Sequence, residues 1–115
     1  MPPESAARLL TLAVDRKGDT AVVRCTGRLV SGVNDLLSNQ VKQLIPECKR
    51  IVLDLKDCTH MDSTGLGTVV RLYVSAKSAG CLLELANIGK PVRHLLGVTH
   101  LISVLAIVGE NNIRF

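Results

Sequence analysis

Aromatic side chains are almost missing from this chain. Its 115 residues include one Tyr, one Phe and no Trp. Proteins that grip single-stranded nucleic acid stack bases on aromatic faces, so the scarcity argues against that class. It also demands an aliphatic core, because hydrophobic residues still make up 47% of the chain. Long apolar runs are missing too. The longest, Leu101 to Val108, is broken by Ser103 and falls far short of a bilayer span. Met1-Pro2-Pro3-Glu4-Ser5 has neither the basic start nor the apolar stretch of a secretory signal. The expectation is a soluble, cytoplasmic protein with no direct membrane insertion, present as a monomer or weak dimer. The net charge of +4 is spread over scattered residues such as Arg8, Arg16, Lys42 and Lys56. Without a focused patch, a solvated surface is expected and nucleic acid is not a partner.

Metal and redox spacings are absent as well. Cys25, Cys48, Cys58 and Cys81 form no CxxC pair, and Cys58-Thr59-His60 is the only close Cys/His combination. Free buried thiols are expected, with no metal. There is no GxxxxGK[ST] loop, and no cofactor is expected.

What remains is an alternation of strand and helix patterns. Leu10–Asp15 and Thr20–Thr26 alternate on either side of the Lys17-Gly18-Asp19 turn, which predicts a hairpin. Leu37, Val41, Leu44, Ile45 and Cys48 share one helical face. Ser31 or Asn34 is placed to cap that helix, and Pro46 lies near its end. Ile51–Leu55 is a near-continuous apolar strand. Thr68–Lys77 continues a helical repeat begun at Leu66, and Ala79-Gly80 stops it. Cys81–Ala86 reads as a strand. A short helix with Pro91 near its start follows, then a last strand within Leu101–Val108. The order β-β-α-β-α-β-α-β predicts a single α/β domain over 9–108. Its mostly parallel mixed sheet has about five strands, with helices mainly on one face. Residues 1–8 and 109–115 are expected to be tails.

The chemistry gathers between the third strand and the next helix, in Thr59-His60-Met61-Asp62-Ser63-Thr64-Gly65-Leu66-Gly67. His60, Asp62 and Ser63 lie too close in sequence for a catalytic triad, whose members converge from separate parts of a chain. Gly65-Leu66-Gly67 lacks the third glycine of a dinucleotide loop, since Val70 stands there. An enzyme is therefore not expected. A switch is the remaining possibility. Asp62 is placed to cap the helix, and either Ser63 or Thr64 would present a hydroxyl at its positive end. Phosphorylation would add roughly 1.5 to 2 negative charges. Against a partner carboxylate about 5 Å away, at an effective dielectric near 20, each unit charge costs roughly 3 kcal/mol. Two such charges exceed the approximately 5.5 kcal/mol needed to invert a two-state population. The alternative is that Ser63 merely caps or packs.

Val52-Leu53-Asp54-Leu55, Met61-Asp62-Ser63-Thr64-Gly65-Leu66-Gly67, Gly80 and Pro91-Val92-Arg93 with Leu95 and Leu96 resemble the STAS domain family. Bacterial anti-sigma factor antagonists are the most similar branch. Gly27-Arg28-Leu29 matches an earlier signature in place and partly in residue. The resemblance implies a module that binds an ATP-dependent anti-sigma factor serine kinase and releases a sigma factor. It implies phosphorylation at Ser63, with Thr64 a second candidate, and resetting by a PP2C-type phosphatase. The implied partner surface comprises Asp62, Thr64, Gly65, Leu66 and Gly67, joined by Arg28, Val30 and Ser31 from the neighbouring loop. Arg28 and Val30 stand where the family usually carries acidic residues, which implies a different partner or a STAS protein outside the kinase cycle. In other STAS proteins the same face docks within an ABC-transporter or lipid-trafficking assembly, or within a stress-sensing particle.

Overall fold

A computed structural model describes residues 9–98 and 106–108. The expected tails 1–8 and 109–115 lie outside the described residues, as does most of Leu101–Val108. Strands β1 (Leu10–Lys17) and β2 (Thr20–Leu29) form the antiparallel hairpin, turning at Gly18 with φ +61°. Helix α1 (Asn34–Leu44) runs into a 3₁₀ turn at Ile45–Glu47 that contains Pro46. Then come β3 (Arg50–Asp54), β4 (Cys58–Met61), α2 (Ser63–Ser78), β5 (Leu82–Ala86), α3 (Lys90–Val98) and β6 (Ala106–Val108).

The strands β1-β2-β3-β5-β6 form the expected mixed sheet, parallel beyond the hairpin. One strand was not expected. The segment Thr59-His60-Met61 reads as turn from sequence, yet it belongs to β4. Strand β2 is ten residues long, twice the length of β3. Its first half pairs with β3 and its end pairs with β4, with a register shift between Gly27 and Arg28. Gly27 makes the shift possible. Its φ is +112°, and the Leu9 carbonyl oxygen lies 2.1 Å from where a Cβ would stand. Its N–H donates to Asp57 O at 3.0 Å.

One face of the sheet carries Val23, Cys25, Ile51, Leu53 and Leu85, all at most 2% exposed. Leu37 and Val41 of α1, and Val69, Leu72 and Ala76 of α2, complete an aliphatic core with them. The opposite face is laced with polar pairs: Arg24 with Asp54 at 3.8 Å, and Arg50 with the buried Glu84. All four cysteines are free and buried, as the spacings implied.

Helix α2 ends as the sequence suggests. Gly80 takes φ +77°. The Gly80 N–H donates to Lys77 O at 3.1 Å and the Cys81 N–H to Ala76 O at 2.8 Å, which satisfies two carbonyls of the last turn. Its start at Ser63 agrees with the expected cap at Asp62 and lies five residues before Thr68, so Gly65, Leu66 and Gly67 are helical.

Candidate functional site

Asp62 organises the start of α2. Its backbone is extended, with φ −101° and ψ −177°, the conformation of an N-cap residue. Its Oδ1 accepts the Gly65 N–H at 2.9 Å and the Thr64 hydroxyl at 2.5 Å. Its Oδ2 accepts the Ser31 N–H at 3.1 Å, from the loop after β2. One carboxylate therefore caps the helix and fastens the neighbouring loop to it. The Thr64 hydroxyl, then the Gly65 and Ser31 amides, hold its pKa below the usual carboxylate value against an opposing effect of burial.

The position of Gly65 is equally determined. A Cβ there would stand 2.1 Å from the Leu29 carbonyl oxygen, so only glycine allows the helix to press against the end of β2. Leu66 is 4% exposed and points into the core. Gly67 faces outward, where a Cβ would meet only Arg71 Nη1, at 3.6 Å.

The first turn of α1 completes the arrangement, in a way the sequence did not suggest. Asn34 does not cap α1; Val33 is the N-cap residue and supplies no side-chain bond. Ser31 does not cap it either, and its amide goes to Asp62 instead. Asn34 Nδ2 donates to Thr64 Oγ1 at 2.8 Å. Asn34, Thr64 and Asp62 thus form a relay of directed hydrogen bonds between the two helix starts.

A cleft of about 340 Å³ lies over this relay. Ser31, Asn34, Ser63, Thr64, Gly67 and Arg71 are among its walls. The two hydroxyls at the helix start are not equivalent. Thr64 Oγ1 both donates and accepts, whereas the exposed Ser63 hydroxyl makes no hydrogen bond to a described residue. His60 is not hydrogen-bonded to it, and its Nδ1 sits 3.0 Å from Thr59 Oγ1.

The neighbouring loop divides. Ser31 lines the cleft, while Arg28 does not. Leu29 is fully buried towards the helices, and strand alternation turns Arg28 to the other face, in register with His60 of β4. Val30 is half-buried against the core and contributes its carbonyl to the Val33 N–H at 3.1 Å. Asn34 and Arg71 are cleft residues that the sequence did not reveal. The cap at Asp62 carried a signal for one of them, because Ser63, Gly67 and Arg71 recur every four residues along the helical stripe that begins there.

Comparison with known proteins sets this geometry in context. A family model described as the STAS domain matches residues 11–112. The anti-sigma F factor antagonist of Paenibacillus polymyxa is 28% identical over 100 residues, covering 85% of this chain and 86% of that protein. The crystal structure of an anti-sigma factor antagonist from Mycobacterium paratuberculosis superposes with a TM-score of 0.78 at 16% identity, covering 90% of this chain and 88% of the other. The Bacillus cell fate determinant SpoIIAA in its phosphorylated form gives 0.69 at 17% identity, covering 87% and 93% of the two chains. At such identities the two structures establish likeness of fold.

Proposed function

The chain belongs to the STAS domain family, and we propose that it works as an anti-sigma factor antagonist switched by phosphorylation of Ser63. The observation that carries this reading is the contrast between two adjacent hydroxyls. Thr64 is tied to Asn34 and Asp62, while Ser63 is exposed and unbonded at the rim of the cleft. A kinase needs a hydroxyl that can leave its surroundings, and Ser63 is the one that breaks no bond by doing so.

In this reading the unmodified cleft binds an ATP-dependent anti-sigma factor serine kinase in the cytoplasm, and so frees a sigma factor. Phosphorylation places roughly 1.5 to 2 negative charges on a surface shaped for a neutral hydroxyl. A PP2C-type phosphatase removes them. The fold itself need not rearrange, because a capped helix N-terminus accommodates negative charge. Asp62, Gly65 and Leu66 hold the cleft in shape from beneath, while Ser31, Ser63 and Gly67 face the partner. The names of the relatives, including the phosphorylated form of one similar structure, support the assignment. Nothing in it requires catalysis by this chain.

The test is direct. Incubation with the cognate kinase and ATP adds one phosphate by intact mass, located at Ser63 and absent from S63A. The kinase binds S63A about as well as wild type and binds S63D much more weakly. Equal affinity for S63A and S63D would remove the charge switch, and phosphate on Thr64 would reassign the acceptor.

A further inference from the structure

Among the described residues that line the cleft, Arg71 is the cation and Asp35 the anion. Long side chains on a helix lean towards its N-terminus. Arg71 does so along the stripe it shares with Gly67 and Ser63. Its Nη1 lies 3.6 Å from the Cβ position of Gly67. Its Nη2 donates to Thr68 Oγ1 at 3.2 Å, and Thr68 in turn donates to Thr64 O at 3.1 Å. The guanidinium is thereby carried back about one helical turn, roughly 5.4 Å, towards Ser63. The bare backbone of Gly67 keeps the remaining path open. Arg71 forms no ion pair with a described residue, unlike Arg16, Arg24 and Arg50.

We propose that Arg71 is an internal receptor for the phosphate on Ser63. The proposal rests on the reading of Ser63 as the phosphoacceptor. A phosphoserine there meets two carboxylates, Asp62 at the helix cap and Asp35 on α1. The Gly65 amide that would otherwise greet it is already bonded to Asp62. Arg71 supplies the missing counter-charge, through a planar fork of donors that matches phosphate oxygens two at a time. The modified side chain is then held down over Gly67 rather than left to swing in solvent. The phosphorylated protein would present one fixed surface to whatever must reject it or reset it.

The phosphate's own titration reads this contact. The second pKa of phosphoserine is about 6. Asp35 and Asp62 raise it, and Arg71 lowers it by favouring the dianion. The experiment uses full-length protein with phosphoserine installed at position 63 during translation, followed by ³¹P NMR across that pKa at low salt. R71Q is expected to raise the midpoint by about half a unit or more. R71K should recover part of the difference, and R28Q, on the opposite face, should leave the midpoint unchanged. Identical midpoints in wild type, R71Q and R71K would overturn the proposal, as would an equal rise in R28Q. Because no kinase takes part, this result is independent of whether a kinase modifies Ser63. Failure of kinase labelling would sink the earlier reading, and with it the use of this contact, without changing the midpoints.

Discussion

Gly65 stands so close to Leu29 that a Cβ on the former would lie 2.1 Å from the carbonyl oxygen of the latter. In an ordinary helix, Gly→Ala gains about 1 kcal/mol. Here the backbone must move, and overpacking of this kind costs about 1–3 kcal/mol. G65A is therefore expected to destabilise the domain by up to about 2 kcal/mol net in urea unfolding. G67A, two residues along the same helix, meets only the Arg71 side chain at an ordinary contact distance of 3.6 Å. It should be neutral or stabilising by up to about 1 kcal/mol. If both substitutions shift the midpoint alike, the packing of α2 against β2 is not as described.

Asp62 ties three donors to one carboxylate, so D62A should cost about 1–2 kcal/mol at neutral pH. Its pKa is lowered in the folded state from the usual 3.8, by the Thr64 hydroxyl first. A lowered acid contributes stability that is complete above the unfolded value and lost as pH falls through the folded one. The difference in unfolding free energy between wild type and D62A should accordingly shrink below about pH 4. A gap that persists unchanged into strong acid would show that the ionised carboxylate is not the source.

Burial pushes the thiol of Cys25 up to about 12, with the charges of Cys58 and Asp54 adding smaller effects. Native Cys25 should resist thiol reagents near pH 8 and become labelled only as denaturant unfolds the chain, as followed by mass spectrometry. A thiol raised in the fold also makes stability pH-dependent in the alkaline range. Above the unfolded value of 9.0 the unfolded state loses a proton that the folded state keeps. Stability therefore falls as pH rises from there towards 12, and C25A should flatten that decline. Rapid labelling under native conditions would contradict the burial.

The sheet order and the core were legible because hydrophobic period and turn residues agree along most of the chain. Leu37, Val41 and Leu44 mark one helical face without ambiguity, and Gly80 marks an end. Strand β4 was not legible. It spans only four residues, and its pairing depends on the long β2 and the shift at Gly27. The stripe from Ser63 through Gly67 to Arg71 follows from the cap at Asp62, but no local spacing shows that a cleft lies beside it. The cap at Asp62 was legible because an acid before a helix has a local partner. The bond from Asn34 was not, since it joins residues 30 positions apart. Local rules assigned that side chain to its own helix, whereas tertiary packing gave it to Thr64.

That long-range bond carries a cost that mutation can expose. Asn34 donates through Nδ2 to Thr64 Oγ1, but its Oδ1 is buried without a partner among the described residues. N34A removes both the bond and the orphaned acceptor, so its net cost should be about 1 kcal/mol or less. N34D does the opposite. It replaces the donor with a second carboxylate facing the oxygen of Thr64, one hydrogen bond from Asp62. The single hydroxyl proton of Thr64 is then left between two like charges and can serve only one of them. N34D should cost about 1–3 kcal/mol at neutral pH, more than N34A, and raise the pKa of Asp62. Its excess over N34A should diminish as acid protonates the carboxylates. Urea titrations of the two variants at neutral and acidic pH decide the matter: an N34D no worse than N34A would mean that Asn34 does not feed the Thr64–Asp62 pair.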